Sequence, residues 1–173
     1  MLLKQVNRRI KMTAYNFTLI DSVSPWSSGQ IFVARAYYDL NGTGLANADT
    51  ITATGIIPGD GVEIMEVTVS HPELDTNATP TATYNVGDSG SAARFISSAP
   101  LGVNGVTTSG FQIRNGINIA TTTSSGVVAT GAGYIYIGTT SASLILTVNA
   151  AVATAATAGV IHLYVTYRCV GNS

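Results

Sequence analysis

The chain has 173 residues, 46% of them hydrophobic and only 10% charged, with a formal net charge of −1. That length supports one domain with a real core, and no apolar run approaches the roughly 18 residues of a membrane helix. Average soluble domains are about 25% charged; a surface of mostly Thr, Ser, Asn, Gly and Ala suits a protein inside an assembly better than one kept soluble by its own charge.

The opening, MLLKQVNRRIKM, lacks the continuous apolar core of a secretory signal. Lys4, Arg8, Arg9 and Lys11 crowd into it and make up half of the 8 Lys and Arg residues. Every acidic residue comes later, from Asp21 to Asp88. This reads as a basic, extended arm over residues 1–12, ahead of a single domain over residues 13–173. Leu2, Leu3, Val6 and Ile10 are apolar anchors among the arm's charges. A solvated terminus, or a start-site extension ahead of Met12, are the other readings of this stretch.

Strand signals follow in order. Ile31 to Tyr38 is rich in branched and aromatic residues and ends at the turn signal Asp39-Leu40-Asn41-Gly42. Pro58-Gly59-Asp60-Gly61 leads into Val62–Val69. Thr81–Val86 is a shorter strand. Gly110–Arg114, Tyr134–Ile137 and Leu144–Val148 come next. The stretch from Ala150 to Ala158 is compositionally helical, but its threonines and Gly159 make an inter-strand loop equally consistent. In Val160–Arg168 a period of two sets Ile161, Leu163, Val165 and Tyr167 on one face, and His162, Tyr164, Thr166 and Arg168 on the other. Short strands punctuated by Gly and Asn predict an all-β, antiparallel β-sandwich of jelly-roll type.

One string looks catalytic. Gly87-Asp88-Ser89-Gly90 matches the surroundings of the nucleophilic serine in chymotrypsin-like proteases. His71, Asp75 and Ser89 stand in the required order. Yet one strand and a loop separate the histidine from the serine, where two barrels would be needed. The string therefore reads as a tight turn, in which Asp and Ser side chains bond the local backbone. His71 and His162 lack the paired spacing of a zinc site. Asp60 and Glu63 lack the carboxylate density of a calcium loop. GTG at Gly42 and GAG at Gly131 lack the rest of a phosphate-binding fingerprint. Asn16, Asn41 and Asn77 match the glycosylation pattern by chance in a Thr-rich chain. Cys169, the 1 cysteine, reads as a buried thiol rather than a nucleophile. No enzyme activity, metal or cofactor is expected. Arg35, Arg94, Arg114 and Arg168 are too scattered to make the body a nucleic-acid surface, and a basic arm gripping an acidic protein surface is as consistent.

Two segments carry a resemblance. One is YNVGDSGSAARFISSAPLG, Tyr84 to Gly102, a strand, a GDS turn, a small-residue spacer and then Arg94-Phe95-Ile96. The other is the ending, YIYIGTTSASLILTVNAAVATAATAGVIHLYVTYRCV. Together, over about half the chain, they resemble the head decoration or cement proteins of tailed bacteriophages. The resemblance implies a jelly-roll-like sandwich that sits as a homotrimer on the outer capsid surface of the virion. It implies binding to the major capsid protein, bracing of the shell against internal DNA pressure, and no catalytic residue, cofactor, membrane or nucleic-acid partner. Leu2, Leu3, Lys4, Val6, Arg8, Arg9, Ile10 and Lys11 are then the capsid-contact arm. The alternative is a head-fibre or receptor-binding sandwich that binds host surface glycans, with Trp26, Tyr37, Tyr38, Tyr134 and Tyr136 as stacking platforms. Glycan binding requires exposed aromatics around a concavity; cementing requires them in the core or between subunits.

Overall fold

The computed structural model describes residues 14–21, 30–59, 61–103, 113–118, 135–136 and 141–170. In chain order their strands are β1 (Ala14–Asn16), β2 (Thr18–Asp21), β3 (Ile31–Asp39), β4 (Thr50–Ile57), β5 (Val62–His71) and β6 (Thr83–Asp88). β7 (Ser91–Pro100), β8 (Ile113–Asn118), β9 (Ile135–Tyr136), β10 (Ala142–Val148) and β11 (Val160–Cys169) complete the set. No described residue is helical.

The strands form two sheets. Sheet A runs β1-β4-β10-β6-β7 and sheet B runs β2-β3-β11-β5-β8, with β9 also on β5. Setting β1, β2 and β9 aside leaves two four-stranded antiparallel sheets, β4-β10-β6-β7 and β3-β11-β5-β8. From β3 to β11 the chain alternates between them, apart from the β6–β7 hairpin. That is the winding of an eight-stranded jelly roll.

The period of two in β11 is what closes the core. Ile161, Leu163, Val165 and Tyr167 are buried, while Arg168 is exposed. β11 lies in the middle of sheet B, antiparallel to β3 and to β5. Its inward residues join Ala34, Ala36, Ile64, Val67 and Val69 of the same sheet. Ile51, Tyr84, Val86, Leu144, Leu146 and Val148 meet them from sheet A. Stacked sheets lie about 10 Å apart, one layer of interdigitated side chains.

The first strands correct the sequence reading, which assigned none before Ile31. β1 lies parallel to β4, Ala14 beside Thr50. The chain then crosses to sheet B at Phe17, which is buried and donates its N–H to the Thr52 carbonyl at 2.8 Å. β2 continues antiparallel to β3. β4 also went unassigned, although its Thr and Ile residues favour a strand and only Ala53 and Gly55 dilute the signal; it lies between β1 and β10. The expected small-residue spacer after Ser89 is β7, whose pairing with β6 overrides weak propensity. Of the strand expected over Gly110–Arg114, Ile113 and Arg114 lie in β8 and the rest lies outside the described residues; β8 runs on through Asn115 and Gly116, turn formers in isolation that pair here with Val69 and Thr68.

All these directions give the sandwich two distinct ends. The long loops at residues 40–49, 72–82 and 149–159 gather at one, with the entry into β1. Backbone bonds knit them, from Leu40 to Gly159, Thr76 to Thr154 and Ala156 to Leu74. The Ala-rich stretch is thus a loop. Asn41 and Gly42, both at positive φ (43° and 86°), make the turn read from the sequence. The opposite, turn end holds Gly59 and Gly61, the Gly87–Gly90 turn, β9 and the end of β11.

Candidate functional site

The Gly87–Gly90 turn is built around a carboxylate. Asp88 Oδ1 accepts the N–H groups of Gly90 and Ser91, both at 2.9 Å. Arg94 donates Nε to Oδ2 at 2.8 Å and Nη2 to Oδ1 at 3.3 Å. Tyr136 donates its hydroxyl to Oδ2 at 2.8 Å. Burial pushes this carboxyl up, but Arg94, Tyr136 and the two N–H groups outweigh burial and hold it below the usual range. A carboxylate has about four lone-pair sites; all are used by the chain itself. A cavity of about 360 Å³ beside it is lined by Ser89, Ser141, Ser143 and Ile145.

No triad exists here. His71 is fully buried and lies edge-on to Tyr84, ring centroids 5.5 Å apart. Tyr84 and Ser89 are five residues apart along β6 and its turn, about 16 Å at strand spacing. His71 Nδ1 lies 2.7 Å from the Pro72 carbonyl, which only accepts, so that nitrogen carries the proton. Nε2 has no partner. Burial lowers the His71 pKa to about 4, against the opposing pull of the Pro72 bond. Asp75 instead accepts N–H groups from Thr81, Ala82 and Thr154, each at 3.3 Å, and so ties two loops together. Glu73 takes the Val103 N–H on Oε1 at 2.9 Å, while buried Oε2 has no partner. Burial raises its pKa, with the Val103 bond opposing and the Asp75 charge assisting. These three residues of the HPELD string are loop-end struts.

The sequence-predicted arm, Leu2, Leu3, Lys4, Val6, Arg8, Arg9, Ile10 and Lys11, lies outside the described residues. The described chain starts with β1 at the loop end. Of the five candidate stacking aromatics, Trp26 and Tyr134 also lie outside the described residues. Tyr136 is buried and engaged by Asp88. Tyr38 packs on Tyr15 at 5.2 Å. Tyr37 stands on the outer face of sheet B, opposite His162.

Sequence reasoning missed that outer face. Ile31 and Val33 are 60% and 47% exposed. They sit opposite Arg168 and Thr166, and Arg168 donates Nε to Glu63 Oε2 at 2.5 Å. The signal was present: Ile31 and Val33 share the period-two face of Arg35 and Asp39, while Ala34 and Ala36 are buried on the other.

The architecture defines a jelly-roll sandwich in which, among the described residues, buried Asp75 and Asp88 hold loops and a turn. No family model matches the chain, and no curated protein matches it. Two solved structures do. A chain of the cyanophage Pam1 capsid asymmetric unit is 25% identical, with a TM-score of 0.59, over 87% of this chain and 92% of that one. A chain of the capsid of Ralstonia phage GP4 shares the fold at 20% identity and a TM-score of 0.59, over 94% of this chain and 100% of that one. The protein is phage capsid-related, a structural component of the virion kind and not an enzyme.

Proposed function

We propose that the chain is a capsid decoration, or cement, protein. It binds the outer surface of the major capsid shell as a homotrimer and braces that shell against internal DNA pressure. The observation that carries this reading is the likeness to the Pam1 capsid chain across nearly the whole jelly roll. The low charge and the exposed apolar face of sheet B suit a protein held in symmetric contacts. The arm, residues 1–12, supplies the contact with the shell: Leu2, Leu3, Val6 and Ile10 dock, and Lys4, Arg8, Arg9 and Lys11 pair with acidic capsid groups. Many linked copies make modest individual contacts sufficient.

The test mixes undecorated capsids with the purified chain and with the same chain begun at Met12, and reads co-sedimentation. Binding that requires residues 1–11 supports decoration and the arm together. Equal binding by both keeps decoration and removes the arm. No binding by either removes the proposal and turns attention to glycan arrays, although Tyr38 and Tyr136 are already committed to packing.

A further inference from the structure

Capsid assembly gives no role to the cavity of about 360 Å³ beside Asp88. Its floor follows from the period of two in β10. Leu144 and Leu146 face the core, so Ser143 and Ile145 face out of sheet A, and Ser141 precedes them at the same spacing. Gly87 lies opposite Ile145. It has no side chain, so the returning strand crosses close to it at Ser91 and Ala92. Ser89, Gly90 and Arg94 then form a wall over that floor, and Tyr136 closes one side.

The geometry points to this cavity as a binding site for a neutral, hydroxylated ring, one pyranose unit of a saccharide. Charge excludes the ions. Arg94 and Asp88 are joined to each other at 2.8 Å. A phosphate or carboxylate would face Asp88, and an amine would face Arg94, with no net charge in the wall to compensate. The hydroxyls exclude an apolar anchor. Ser89 and Ser141 are exposed at the rim. Ser143 Oγ accepts the Gly55 N–H at 3.1 Å, which leaves its own proton to donate. An aliphatic group would strip water from these hydroxyls and return no bond. A sugar hydroxyl both donates and accepts, as a serine hydroxyl does, and the C–H face of the ring suits Ile145 and Ala142. The volume is at the small end of the roughly 300–1,000 Å³ of ligand sites, which admits one ring rather than a run of them. The wall is preformed, because Asp88 fixes Arg94, Tyr136 and the turn; binding therefore costs little ordering. The cavity sits at the turn end and β1 starts at the loop end, so a ligand here does not compete with a partner there.

The test uses the full chain and needs no capsid, so its outcome is separate from that of decoration. Saturation-transfer NMR is run with glucose, galactose, mannose and N-acetylglucosamine as neutral probes, and with glucosamine and glucose 6-phosphate as charged ones. The variants are Ser89→Ala with Ser141→Ala, which removes rim hydroxyls, and Ser141→Trp, which fills the mouth. Thr157→Ala, exposed at the loop end, is the control. Far-UV circular dichroism confirms that each variant keeps its strands. The expected result is transfer to at least one neutral probe, with a dissociation constant raised about tenfold in the double alanine variant. Transfer should vanish in Ser141→Trp and be unchanged in Thr157→Ala. No transfer to any neutral probe, stronger transfer to a charged one, undiminished transfer in both cavity variants, or equal loss in Thr157→Ala would each overturn the site. Dextran and mannan then decide the source. Displacement of the bound monosaccharide by either supports the cavity as a reader of polymeric saccharide, and failure of both to displace it supports a site for the free sugar.

Discussion

Tyr136 donates its hydroxyl to Asp88 Oδ2 across 2.8 Å, and that bond joins the two sheets. Tyr136 belongs to β9, which pairs with β5 of sheet B; Asp88 ends β6 of sheet A. One carboxylate therefore anchors a hairpin turn, an arginine of the next strand and the facing sheet. Tyr136→Phe should lower stability by about 1 kcal/mol, since four other donors remain on Asp88. Asp88→Ala should cost more, about 2 kcal/mol, because it removes the bonds to Arg94, Tyr136, Gly90 and Ser91 together. Urea unfolding monitored by circular dichroism measures both, and equal losses would show that Tyr136 carries the anchor alone.

Gly87 lies against the main chain of the returning strand. A Cβ there would run into the main-chain atoms of Ser91 and Ala92. Gly87→Ala should destabilise by about 3 kcal/mol, an overpacking cost with backbone on the other side. Gly42 has open space at the same test position, so the thermal midpoint of Gly42→Ala should fall less, through its positive φ alone.

Acid should loosen the loop end through His71. Its folded pKa is about 4 and its ordinary value is 6.5. Between those values the unfolded chain binds the extra proton, so this contribution is complete above pH 6.5 and is lost as pH falls towards 4. The shift corresponds to about 3 kcal/mol. Glu73 has the opposite sign: its raised pKa adds stability at low pH that is lost as pH rises through the folded value. Glu73→Gln should therefore steepen the rise of stability with pH between 4.5 and 6.5, and His71→Phe should reverse it. Urea midpoints across this range are the readout, and an unchanged slope in both variants would refute the assignment.

Capsid binding through the arm should weaken with salt. Four cations within eleven residues act over a Debye length of about 10 Å at 0.1 M, which shrinks to about 3 Å at 1 M. Replacing Arg8 and Arg9 by Gln should reduce co-sedimentation at low salt and flatten its salt dependence, with the thermal midpoint unchanged. Salt-independent binding would assign the contact to the apolar residues.

Much of the architecture was legible in local pattern. β11 announces itself because Ile161, Leu163, Val165 and Tyr167 alternate with polar neighbours, and one buried face requires that period. The Gly87–Gly90 turn was legible because Asp88 satisfies N–H groups two and three residues away, a local chemistry. β7 was not, because Ala and Ser carry little strand preference and become a strand only when β6 offers hydrogen bonds. The bonds from Arg94 and Tyr136 to Asp88 were hidden for a related reason. The turn string holds one partner, but Tyr136 lies 48 residues away.

By itself the sequence determined the class: all-β, sparse in charge, with four basic residues among the first eleven. Those properties depend on composition and on near-neighbour periodicity, which any stretch of chain displays alone. Only the tertiary structure decided which apolar residues remain outside, which end of the sandwich holds the start of β1, and why His71 is a buried strut rather than a base. Each of these depends on strand order and register. Those are set by the pairing of segments tens of residues apart, where one residue of slip would exchange the inside face for the outside.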